Sequence, residues 1–159
     1  MNDELERYRI EQAEAWLEGV RKAVGYAARL EESAAAQYAL ADGLRGIDYS
    51  RDMVSASPTP DAIPDAVARH MELGDGFAEI ADNAKRRAMD AAERIARLPD
   101  ATEACALHLY YVDALDTWEH VCVRMFYSYD GMMKLRRRAV LHAYDVMPHT
   151  ERDPRPPAV

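Results

Sequence analysis

Between residues 73 and 98 the apolar side chains recur at gaps of three and four: Leu73, Phe77, Ile80, Ala84, Ala88, Ala91, Ile95 and Leu98. An α-helix brings that period onto one face, whereas a strand would scatter it over both. The same rule governs the first third of the chain, where Leu17, Val20, Val24, Ala27, Ala34, Tyr38 and Ala41 form a second stripe. Beta-branched runs of strand length do not occur, and the abundant alanine lets helices pack closely. The expected fold class is all-α.

Breakers divide the pattern. Gly43 and Gly46 stop the first helix, and two prolines with several Ser and Thr residues mark a loop over 46–60. Pro64 suits the first turn of the next helix, whose opening amides have no intrahelical acceptor. The reading is a long antiparallel hairpin over 1–97, with coiled-coil-like helices at about 3–45 and 64–97. Gly19 and Gly25 are expected to mark close approach of another helix. Two helices alone bury little apolar surface, so the hairpin is expected to form a homodimer or to dock on another protein.

A second domain is predicted over 98–147. Pro99 breaks the chain, and a helix follows from about Thr102 to Asp113. Thr117 has the side chain of an N-cap for the next helix, which turns Trp118, Val121, Cys122 and Met125 inward. Phe126 and Tyr127 make a turn, and Ser128 caps a last helix ending near Met147. The proline-rich, charged tail over 148–159 is expected to be disordered.

A short helix, a turn and a longer basic helix is the layout of a helix-turn-helix reader of duplex DNA, whose second helix enters the major groove. Residues 124–144 carry five basic side chains and one acidic one, within a chain of net charge −8. A local basic patch on an acidic body suits a module that reads DNA weakly alone and is helped by a partner, and suits a nonspecific nucleic-acid coat poorly. Stepping 100° per residue, Met132, Leu135 and Ala139 face inward, while Asp130, Met133, Lys134 and Arg137 face outward. Tyr129 stands at the entry, Arg138 on a flank and Arg136 near the boundary. Lys and Arg can donate to guanine, Asp130 can accept from a cytosine amino group, and Tyr and Met can touch thymine methyls. Thr117 and the amides behind it suit a backbone phosphate.

Other classes find less support. Cys105 and Cys122 lie on predicted apolar faces, which reads as burial, and no two of the five histidines share an i, i+4 pair. No nucleophile, metal or phosphate constellation emerges, so neither catalysis, a metal nor a cofactor is expected. No apolar run nears the roughly 20 residues of a membrane span, and the first residues lack a secretion signal. A cytoplasmic, non-enzymatic protein is expected.

The wording of the second domain resembles a known family. Leu98-Pro99, Tyr111-Val112-Asp113, Thr117-Trp118-Glu119, Val121, Met125, Tyr127-Ser128, Leu135 and Arg138-Ala139 are similar to phage and prophage late-transcription regulators of the ArpU and RinA type. Those carry a helix-turn-helix domain like region four of sigma factors. The likeness covers roughly 46–147, including the proline-rich loop. It implies promoter or operator contact through Tyr129, Asp130, Gly131, Met133, Lys134 and Arg137, with Gly131 entering on the resemblance alone. Several of those positions are Tyr, Gly and Met here, where sigma factors favour Arg or Glu. The implied partners are duplex DNA and host RNA polymerase. A rival reading keeps the fold but makes the protein a phage effector that inhibits a host complex, RNA polymerase or a CRISPR-type defence system. A third reading is a packaging-associated DNA binder.

Overall fold

The computed structural model describes residues 2–46 and 62–154, and those residues are helical with no strand among them. The expected loop falls, apart from Gly46, outside them, as do the last five residues. In chain order the helices are α1 (Asn2–Arg45), α2 (Ala62–Ile95), α3 (Ala101–Leu107), α4 (Trp118–Met125) and α5 (Tyr129–Val146). A π-helical turn, His108–Val112, extends α3, and a 3-10 turn, His149–Glu151, follows α5. No helix among the described residues is long and apolar enough to cross a membrane.

The chain forms two compact units, and both divisions fall inside a long helix. One unit holds Met1–Gly25 with Lys85–Val159, and the other holds Tyr26–Ala84. The division expected at residue 98 coincides with neither boundary. The cause is the apolar face of early α1. Ala13, Trp16, Leu17 and Val20 are buried in one core with Ile95, Leu107, Tyr111, Val121, Leu135 and Val140. Burial of side chains this size supplies roughly 1.5–3 kcal/mol each, so early α1 is part of the C-terminal core and not of a separate arm.

A layered stack binds this unit together. The Arg21 guanidinium lies 4.1 Å from the Tyr110 ring centre and donates to the Leu115 carbonyl at 2.9 Å. Tyr110 stacks on Trp118 at 4.3 Å, and Arg136 lies 5.0 Å from the Trp118 ring. Cations on aromatic faces thus link α1 to α5 through the turn after α3.

The tail corrects an expectation. Instead of becoming disordered at Pro148, the chain stays attached through Asp153. Arg152 donates to the Tyr144 carbonyl at 2.7 Å, Tyr8 donates to the Asp153 carbonyl at 2.9 Å, and Arg87 pairs with Glu151 at 2.9 Å. Backbone acceptors fixed by α5 and side chains of α1 and α2 hold a segment whose composition alone suggested none.

In the second unit the buried residues are Ala27, Leu30, Ala34 and Ala41 from α1 with Gly74 and Ala81 from α2. A Cβ at Gly74 would lie 2.6 Å from Cε1 of Tyr38, whose hydroxyl donates to Asp75 at 2.6 Å. The predicted seam is therefore one residue out of register here: Leu73 and Ile80 are half exposed, and their small neighbours occupy the contact line. Close helix approach selects Gly and Ala where burial alone would have selected Leu and Ile. Gly19 also meets a neighbour, the Arg87 guanidinium, but Gly25 meets nothing within 4 Å.

Candidate nucleic-acid interface

Both predicted caps form. Thr117 Oγ1 accepts from the His120 amide at 3.3 Å, starting α4, and Ser128 Oγ accepts from the Gly131 amide at 3.1 Å, starting α5. Trp118, Val121 and Cys122 are buried along α4, as are Met132, Leu135, Ala139, Val140 and Ala143 along α5. Between the helices, Phe126 takes the left-handed conformation, φ 57° and ψ 41°, and its amide reaches the Cys122 carbonyl. That position ordinarily belongs to glycine.

The predicted reading face is exposed as its helical-wheel assignment has it, except at Met133. Tyr129, Asp130 and Lys134 are exposed, and Lys134 has no ion pair among the described residues. Met133, expected to face outward, is half buried and packs against the core. Gly131 is explained by the cap: a Cβ there would lie 2.9 Å from Ser128 Oγ. Thr117 is exposed, with its hydroxyl already engaged in capping.

The three consecutive arginines each meet a carboxylate. Arg136 lies 3.5 Å from Glu14 and over Trp118; Arg137 lies 3.1 Å from Glu6; Arg138 donates to Glu103 at 2.7 Å. Glu103 is 1% exposed and also meets His142 Nδ1 at 2.7 Å. The hydrogen bond that Arg138 donates to Glu103 raises the arginine's pKa. Arg136 and Arg138 are therefore committed to the fold, and the positive patch counted along the sequence is largely neutralised in space.

Two features had not been anticipated. Phe126 is 97% exposed and Val123 73% exposed, and Tyr127 and Tyr129, close to them in the chain, are exposed as well. A bulky residue where glycine is usual was the available signal. Cys105, expected to be buried, is exposed, whereas Cys122 is buried as expected. Compared with protein-family models, curated proteins and solved structures, the chain matches none of them.

Proposed function

We propose that the protein is a phage- or prophage-type transcription regulator that binds duplex DNA through α4, the turn and the first two turns of α5. The observation that carries this reading is the exposed start of α5. Tyr129, Asp130 and Lys134 project into solvent beyond a capped two-helix unit, where a recognition helix meets base edges. Thr117 and the start of α4 would lie against the backbone, and Arg124 and Lys134 supply the exposed charge. Host RNA polymerase is the protein partner this role implies, and the protein would act as a homodimer on a two-fold site.

The test is fluorescence anisotropy with random and promoter-derived duplexes from about 50 to 200 mM salt, where each phosphate contact contributes roughly 0.9 to the log–log slope. Measurable affinity with a shallow slope of about −2 to −3 is expected. No affinity at the lowest salt would overturn the reading.

The exposure of Val123, Phe126, Tyr127 and Tyr129 favours one second reading, an effector that binds a host protein complex. Protein interfaces are enriched in aromatic residues, and three of these four exposed side chains are aromatic. In that case duplex affinity would be absent, and Phe126→Ala would abolish binding to the protein partner.

A further inference from the structure

The three arginines of α5 differ in how firmly they are held. Arg138 pairs with a carboxylate that is almost wholly buried, so releasing it would strand a charge in the core. Arg136 is half buried between Glu14 and the Trp118 ring. Arg137 has neither constraint. Its side chain is 73% exposed, its partner Glu6 lies at the surface, and their separation is 3.1 Å. It also borders an open cleft of about 430 Å³ with Asp3, Arg7, Ile10 and Glu11, which leaves the guanidinium room to swing.

Position makes that freedom consequential. Asp130, Lys134 and Arg137 follow at i, i+4 and i+7, so Arg137 continues the face on which Lys134 stands. Glu6 therefore occupies a cation on the surface that would meet the DNA backbone.

We propose that the amino-terminal turns of α1 are a built-in competitor for DNA: Glu6 holds Arg137 in the unbound protein and yields it to a phosphate on binding. This rests on the duplex-binding reading and adds a regulatory contact to it. An exposed carboxylate pair is weak and screened by salt. A phosphate contact is charge-assisted and releases condensed counterions, so it wins the exchange at low salt. Any partner that takes Glu6 from Arg137 would raise DNA affinity, and any condition that strengthens the Glu6–Arg137 pair would lower it.

The experiment compares the full chain with Glu6→Gln, Glu4→Gln, Arg137→Gln and the Glu6→Gln/Arg137→Gln double variant. Binding to a random duplex is measured at about 50 mM salt, and circular dichroism melts check the fold of each protein. Glu4→Gln removes the same charge from the same helix without touching the pair. Glu6→Gln should tighten binding about two- to five-fold. Glu4→Gln should leave it unchanged, and the gain should vanish in the Arg137→Gln background. A duplex-binding wild type that Glu6→Gln does not improve would overturn the competitor and leave the DNA reading standing. Equal gains from Glu6→Gln and Glu4→Gln would also overturn it, because general repulsion would then be the cause. Absence of binding in every variant would overturn both proposals.

Discussion

Arg138 Nε donates to Glu103 Oε1 at 2.7 Å, joining the exposed flank of α5 to a carboxylate that is 1% exposed beneath α3. The second oxygen of Glu103 meets His142, one turn further along α5, also at 2.7 Å. One buried acid thus ties α3 to two successive turns of α5. The arrangement explains why a basic run need not be a nucleic-acid surface: part of its charge neutralises an acid the fold has taken out of water.

Glu103→Ala should lower unfolding free energy by about 2–4 kcal/mol, since both charge-assisted hydrogen bonds and the side chain's packing are lost. Urea denaturation followed by circular dichroism measures this. A loss below about 0.5 kcal/mol, the range of an ordinary surface substitution, would mean the clamp contributes little.

How far the sequence foretold the fold depends on the kind of interaction. Helical spacing and local capping chemistry act within a few residues, and both were legible: Thr117 and Ser128 cap the helices they were expected to cap. Long-range choices were not. Glu103 reads as an ordinary surface glutamate of α3 until α5 brings Arg138 and His142 to it, and Arg136 reads as a boundary cation until Trp118 and Glu14 surround it. Leu73 and Ile80 fit a helical stripe as well as Gly74 and Ala81 do, and only the approach of Tyr38 favours the smaller pair. The attachment of early α1 to the C-terminal core was hidden for the same reason. Its stripe showed that a face would be buried but not against which partner.

Phe126→Gly should stabilise the protein. The left-handed conformation costs a side-chain-bearing residue roughly 1–2 kcal/mol, and glycine's greater freedom when unfolded returns part of that. With the ring 97% exposed, almost no burial is lost. A gain of about 1 kcal/mol, or roughly 2–4 °C in Tm, is expected from calorimetry. A clear loss of stability would show that the ring contributes contacts its exposure does not reveal.

Tyr111 carries a pH dependence of definite sign. Its ring is fully buried and its hydroxyl finds no well-formed hydrogen bond among the described residues, so burial pushes its pKa up to about 12, with Arg136 opposing the shift. In the unfolded chain the phenol ionises near 10. Between those values the folded protein keeps a proton that the unfolded chain gives up. Stability is therefore intact below pH 10 and falls as pH rises towards 12, by at most about 1.4 kcal/mol per unit from this group. Tyr111→Phe removes an orphaned hydroxyl at little cost, so below pH 9 the variant should match the wild type within about 1 kcal/mol. Tyr8 and Tyr38, whose pKa values are also raised, are common to both proteins and cancel in the difference. Urea melts of the pair from pH 8 to 11 should diverge above pH 10, with Tyr111→Phe the more stable. Parallel curves would mean that the folded protein admits water or a cation to the phenol and ionises it as readily as the unfolded chain does.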